Sequence, residues 1–230
     1  MSAPVLLSQV ESRVAVLRLN RPDALNALTP ALLRALSEAL ERAEADPEVG
    51  AILLVAEGRA FCAGADLADA EAQPPRDATG RPDLGASLEQ GYNPLVQRMQ
   101  QLRKPIVAAV QGIAAGAGAS LALMADLTVA ARSASFLQAF VNIGLIPDAG
   151  GTWILPRMAG RQRAMGMAML GERLSAETAR DWGLIWAVVE DDMLQTEAMA
   201  LAFGCDRKKP SKASAISPAG SGLEPNPRII

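Results

Sequence analysis

The chain has 230 residues, half of them hydrophobic but only 3% aromatic, and a formal net charge of −3. That length supports one domain with a sizeable core, and the acidic balance with few aromatics argues against nucleic-acid binding. No apolar run reaches the length of a membrane span, and Met1-Ser-Ala-Pro-Val-Leu-Leu7 lacks the segments of a secretion signal, so the cytoplasm is the expected location.

Residues 5–10 and 14–20 are apolar, β-branched-rich runs around Glu11-Ser12-Arg13 and predict a hairpin. Arg21-Pro22-Asp23 breaks the second strand. Thr29-Pro30 reads as a helix N-cap followed by proline at the first helical position. Leu32, Leu33, Leu36, Leu40 and Ala43 then form an apolar stripe, and the helix ends near Asp46-Pro47. Residues 51–56 are wholly apolar, as in a strand buried on both faces.

Residues 73–85 are rich in proline, glycine and charge and predict an exposed, mobile loop. Residues 88–102 predict a second amphipathic helix, ended by Lys104-Pro105. A buried strand at 106–110 runs into a glycine-rich turn, and 117–124 has helix-forming composition. Residues 126–131 predict a third buried strand and 142–151 a loop. Helices follow at about 152–158, 161–170 and 175–182, with a last strand at 186–189. Met165, Met167 and Met169 read as helix core. Strands alternating with helices favour a parallel-sheet α/β core. Beyond about Ala202 the chain turns basic, then proline- and glycine-rich, and is expected to be disordered.

Two glycine- and alanine-rich turns carry the chemistry: Phe61-Cys-Ala-Gly-Ala-Asp-Leu67 and Gln111-Gly-Ile-Ala-Ala-Gly-Ala-Gly118. Each can present bare backbone N–H groups, and two such donors aimed at one point make an oxyanion hole for a carbonyl gaining charge. The second turn sits between a strand and a helix N-terminus, which adds a favourable field. With no histidine, Ser-His-Asp and Cys-His catalysis are excluded, and proton transfer falls to a carboxylate, a lysine, a tyrosine or water. Cys62 reads as a small buried hydrophobe; with Cys205 it lacks metal-ligand spacing, so no metal or cofactor is expected. Ser120 lies outside a Gly-x-Ser-x-Gly motif and reads as a packing or polar pocket residue. Gly116-Ala-Gly118 lacks the third glycine of a dinucleotide fingerprint. Asp148, in Pro-Asp-Ala-Gly, reads on local sequence alone as a turn residue.

These segments together resemble the enoyl-CoA hydratase/isomerase (crotonase) family over residues 5–199. The resemblance rests on Asn20-Arg-Pro-Asp-Ala-Leu-Asn-Ala-Leu28, Ala60-Phe-Cys-Ala-Gly-Ala-Asp-Leu67, Lys104-Pro105 leading into Ala108-Ala-Val-Gln-Gly112, and Gly144-Leu-Ile-Pro-Asp-Ala-Gly-Gly-Thr152, in that order. It implies an α/β fold, a crotonase-like spiral of ββα units with a helical C-terminal region. It also implies a homotrimer or dimer of trimers, and an acyl-CoA substrate whose CoA is part of the substrate rather than a cofactor. A catalytic domain over 1–199 and an atypical tail over 200–230 follow from its extent. The oxyanion donors fall on Ala65 and Ala117. CoA and substrate contacts fall on Arg21, Ala27, Ala63, Asp66, Leu67, Gly116, Phe140 and Leu145.

Family hydratases carry two catalytic glutamates at positions that here hold Ser120 and Phe140. Without those acids, hydration is not the expected reaction. Asp148 stands where the family commonly has glycine, which turns it from a turn residue into a candidate base. Phe140, Leu145 and Trp153 are expected to desolvate it and raise its pKa. The stretches Ala115-Gly-Ala-Gly-Ala-Ser120, Phe136-Leu-Gln-Ala-Phe140 and Ile146-Pro-Asp-Ala-Gly-Gly-Thr-Trp153 are similar to the isomerase branch of phenylacetate degradation. That branch converts 2-(1,2-epoxy-1,2-dihydrophenyl)acetyl-CoA to oxepin-CoA and shifts double bonds from the 3- to the 2-position of enoyl-CoA. Two alternatives stay open: a hydrolase or dehalogenase using Asp148 as nucleophile, and an inactive, C-terminally altered paralogue.

Overall fold

The first apolar runs pair as an antiparallel hairpin, β1 (Leu6–Glu11) with β2 (Val14–Leu19), joined by Ser12 and Arg13, both at positive φ, as a two-residue hairpin turn prefers. The structure, a computed structural model, describes residues 3–68 and 74–208. From β2 onward the main sheet is parallel: β3 (Ala51–Ala56), β4 (Ile106–Val110), β6 (Leu127–Ala131) and β9 (Ala187–Val189) follow in sequence order. Every residue of β3 and β4 is buried, which is why these runs show no polar alternation.

Helix α1 (Pro30–Ala45) begins as foreseen, with Thr29 Oγ1 accepting the Leu32 N–H at 3.3 Å. Its buried residues include Leu32, Leu33, Leu36, Leu40 and Ala43, the five of the stripe, and it packs on β1 and β2. Lys104 satisfies carbonyls at its far end, donating from Nζ to Ala43 O at 2.6 Å. β6, expected from 126, starts at Leu127, where the preceding Asp126 carboxylate accepts the Ile106 N–H at 2.7 Å.

The expected helix over 88–102 is broken. A short α2 (Leu84–Ser87) passes into a π turn (Leu88–Tyr92) and then α3 (Asn93–Gln101). Pro94 has no N–H to continue an unbroken α-helical ladder, and the Asn93 N–H reaches back to Leu88 O instead.

A second sheet, absent from the sequence reading, holds β5 (Ile113–Ala115), β7 (Ser135–Leu137) and β8 (Arg173–Ser175). The chain leaves β4 for β5 and then enters α4 (Ala117–Leu123). It leaves β6 for β7 and, after a 3₁₀ segment (Ala139–Ile143), enters α5 (Gly151–Ala159). These repeated strand–strand–helix units are the ββα spiral that the resemblance implied.

α6 (Arg161–Leu170) and α7 (Ala176–Asp181) follow. In α6 only Met167 of the three methionines is buried; Met165 and Met169 are exposed, since residues two apart lie on opposite sides of a helix. The C-terminal region also differs from expectation. Helix α8 (Leu194–Lys208) runs past both residue 199 and Ala202 and lies along β2, β3, β4 and β6, with Ala198 and Ala202 fully buried. Asp206, near its end, pairs with Arg13 at 3.1 Å. The apolar strands need that cover, so residues 200–208 are ordered by the sheet. Residues 69–73, including Gln73 of the expected loop, and 209–230 of the expected tail lie outside the described residues. No helix among the described residues is long and apolar enough to cross a membrane.

Candidate active site

β3 and β4 run side by side, and the two donor turns follow their ends. The Phe61 N–H donates to Gln111 O (2.8 Å) and Ile113 O (3.1 Å), and the Cys62 N–H to Ile113 O (3.1 Å). In return, the Ala115 N–H donates to Cys62 O at 2.9 Å. These bonds fix the turns against each other. A Cβ on Gly64 would lie 2.9 Å from Ala115 O and 3.7 Å from the Ala117 nitrogen. Gly118 permits a closer approach still, since a Cβ there would come within 2.5 Å of Cys62 O and 2.6 Å of its Sγ. Cys62 is buried, and desolvation pushes its thiol up to about 12, so it packs as the neutral thiol.

On the opposite edge of the first turn, the Leu28 N–H donates to Gly64 O (2.7 Å) and Leu28 O accepts from Asp66 N (3.0 Å). In this parallel bridge Leu28 bonds the residues on either side of Ala65, so the Ala65 N–H faces away from it. Ala117 opens α4, where the first N–H groups have no acceptor within the helix. Neither N–H bonds any other described residue. Gly116 makes the bend between them at φ 52°, ψ −126°, a conformation that belongs to glycine. Its N–H donates to Leu137 O at 2.8 Å, which ties the bend to β7, and the Phe140 ring packs over it.

The remaining expected positions divide in two. Arg21 pairs with Asp66 at 2.9 Å and donates to Ala27 O, while the Ala63 N–H donates to Leu25 O at 3.0 Å. Arg21, Ala27, Ala63 and Asp66 therefore cluster on the first turn, with Leu67 beside them and exposed. Gly116 and buried Phe140 belong to the second turn. Leu145 stands exposed on the outer loop, its N–H donating to Phe140 O at 3.0 Å, and is not enclosed in the site.

Asp148 sits in a strained bend, with Ala149 at φ 47° and Gly150 at φ 81°. Its Oδ1 is buried with no hydrogen-bond partner, and burial raises its pKa to about 6. The source of that burial differs from expectation, because Leu145 and Trp153 are exposed and Trp153 instead stacks on Arg157. The loop is pressed against α3 and α4: a Cβ on Gly150 would run into Met124 and lie 3.2 Å from Val96. Ser120 is fully buried and donates from Oγ to the Asp148 carbonyl at 3.1 Å, which anchors the bend.

Three residues that sequence reasoning did not single out belong here. Asn26 is fully buried; its Oδ1 accepts from Arg21 N (2.8 Å), and its Nδ2 donates to Glu57 O (2.8 Å) and Ala60 O (2.9 Å). It joins the Arg21–Asp66 cluster to the segment that launches the first turn, and its place in the Asn20–Leu28 motif was the available signal. Gln138 is fully buried beside Ser120, with neither amide atom bonded to a described residue. Tyr92, the only tyrosine, lies near Asp148 and Asp66, and burial first, then those negative charges, push its phenol well above the ordinary value. No motif marks the last two.

Two unbonded backbone N–H groups on adjoining turns and a desolvated carboxylate on a neighbouring loop are the groups needed to hold a carbonyl oxygen as its α-proton leaves. The enoyl-CoA hydratase/isomerase family profile matches residues 9–218. The chain belongs to this family. Among curated relatives, the 1,2-epoxyphenylacetyl-CoA isomerase of Escherichia coli K12 is 53% identical over 197 residues, 86% of this chain and 74% of that protein. The trans-2-decenoyl-[acyl-carrier-protein] isomerase of Streptococcus mutans is 37% identical over 190 residues, 83% of this chain and 71% of the relative. The solved enoyl-CoA hydratase of Mycobacterium smegmatis superposes with a TM-score of 0.81 at 37% identity, covering 90% of this chain and 78% of that one. The protein is thus a crotonase-family enzyme of the acyl-CoA hydratase/isomerase class, with the fold of that family.

Proposed function

We propose that the enzyme isomerises acyl-CoA thioesters through an enolate, with Asp148 as the single proton shuttle. The thioester oxygen accepts the N–H groups of Ala65 and Ala117. Asp148 then takes a proton from the α-carbon, and the C–H electron pair moves into the enolate. Returning that proton at the γ-carbon shifts a 3-enoyl-CoA to the 2-enoyl isomer. On 2-(1,2-epoxy-1,2-dihydrophenyl)acetyl-CoA, the bond shared by the two epoxide carbons opens to the seven-membered ring, and Asp148 returns the α-proton to the ring carbon γ to the thioester, giving neutral oxepin-CoA. Arg21, Ala27, Ala63, Asp66, Leu67 and Gly116 are proposed to hold the CoA arm, and Phe140 to wall the acyl group.

The observation that carries this reading is Asp148 itself, a desolvated carboxylate poised near pH 6 in a site where Ser120 and Phe140 leave no second acid. One group that removes and returns a proton suits isomerisation; hydration also needs a positioned water. The 53% identical relative named as an epoxyphenylacetyl-CoA isomerase supports the substrate. Exposed Ile143, Ile146, Met169, Leu170 and Trp186 support assembly into a trimer, which light scattering tests.

The deciding experiment assays purified protein on the epoxide-CoA and on a 3-enoyl-CoA, beside Asp148→Asn. Turnover of either substrate by the wild type, with loss of about 10²–10⁴-fold in the variant, supports the shuttle. An equally active variant refutes it, and solvent ¹⁸O appearing in Asp148 during turnover would assign a nucleophilic role instead.

A further inference from the structure

The π turn places one polar group on the site that the proton shuttle leaves unused. Gly91 brings this turn against α1, where a Cβ would meet Leu33 Cδ1 at 3.2 Å. The next residue, Tyr92, packs against the core and is half-buried. Its phenol lies within reach of the charges of Asp148 and of Asp66 on the first donor turn. The Tyr92 hydroxyl has no hydrogen-bond partner among the described residues and is not one of the sealed, unpartnered side-chain atoms, so it is open to a bound ligand. A cavity of about 370 Å³ adjoins it, lined also by Leu28, Pro30, Leu33 and Leu95, and is large enough for a ring-sized acyl group. Leu28 links this cavity to the donor turn, because it is the bridge partner of Ala65. Ala65, Ala117 and Asp148 do not line the cavity, so Leu28 and Tyr92 are its lining residues that also neighbour the first donor turn or the base.

We propose that the Tyr92 hydroxyl donates a hydrogen bond to a second oxygen on the acyl group, carried on the ring carbon next to the thioester arm, and so selects oxygenated cyclic acyl-CoA esters over plain enoyl-CoA. This rests on the isomerase reading for its substrate class. The phenol keeps its proton throughout: burial and the neighbouring carboxylates disfavour the phenolate, so the group serves as a donor and Asp148 remains the base. A plain enoyl chain offers the hydroxyl nothing, and that chain's binding leaves the donor unpaired.

The test compares wild type with Tyr92→Phe, which removes only the hydroxyl, using two ligands and two substrates. Calorimetry should show the wild type binding 2-hydroxyphenylacetyl-CoA about 2- to 12-fold more tightly than phenylacetyl-CoA, the range of one neutral hydrogen bond. In the variant that preference should vanish with phenylacetyl-CoA affinity unchanged. In kinetics, kcat/KM for the epoxide-CoA should fall at least as far, while kcat/KM for a 3-enoyl-CoA stays within twofold. Equal losses on both substrates would mean a packing role and overturn the proposal, as would no loss on either. A hydroxyl-dependent binding preference in a protein that turns over neither substrate would uphold the Tyr92 assignment and refute the isomerase reading.

Discussion

Asp148→Asn should cost activity and raise stability, and the two effects share one cause. The fold lifts this carboxyl from 3.8 to about 6 by burying it. At about 1.4 kcal/mol per pH unit, ionising it in the folded protein is penalised by about 3 kcal/mol at neutral pH. The sign follows from proton counts. Between pH 3.8 and 6 the folded state holds a proton that the unfolded state has released, so stability falls as pH rises through that window and then levels off. Asparagine carries no charge, so the variant should gain up to about 3 kcal/mol above pH 6, less the cost of its own unpaired buried amide, and nothing below pH 3.8. For a chain of this size, each kcal/mol moves Tm by roughly 2–4 °C, so calorimetry at pH 8 should show a rise of several degrees that disappears near pH 4. Wild-type kcat/KM should climb with pH to a plateau above about 6, while the variant stays low throughout. Equal Tm values at pH 4 and pH 8, or a variant less stable at pH 8, would refute the claim that Asp148 is strained by burial.

Gly118→Ala drives a methyl into the Cys62 backbone and should push the two donor turns apart. A displacement near 1 Å is enough to lower kcat about 10²-fold, with about 1–3 kcal/mol lost in stability; unchanged kinetics would contradict the donor assignment. Asn26→Ala leaves two carbonyls and one N–H unpaired in the core, so a loss of about 2–4 kcal/mol is expected in urea denaturation. Ending the chain after Met199 removes Leu201, Ala202 and Phe203 from the sheet. That should cost about 3 kcal/mol or more, seen as a lower Tm or aggregation; a truncated protein as stable as the full chain would show that α8 is dispensable.

The long elements were legible because burial alone dictates them. β3 and β4 are unbroken apolar runs, and α1 carries both its cap and its stripe. The three-residue strands β5, β7 and β8 were not, since a strand that short has no periodicity and exists only through its partners. The break at 88–92 was hidden because an amphipathic stripe continues across a π turn with little change. The two glycine turns were readable from glycine and alanine alone, whereas proposing Asp148 as the base required knowing that the glutamate positions hold Ser120 and Phe140. Local sequence was silent on Tyr92 and Gln138, because their significance lies in what the fold sets beside them. The break at Ala202 misled in turn: a polar composition was read as disorder, while the sheet beneath was already committed to a covering helix.

The hydrogen bond from Ser120 to the Asp148 carbonyl makes the two positions epistatic. A glutamate at 120 would remove the hydroxyl that anchors the bend and would place a longer, charged side chain at a fully buried position. A glycine at 148 would in turn leave the serine holding a loop with no base to present. Neither substitution alone keeps both the anchored bend and its carboxylate, so the two positions are expected to tolerate change only together.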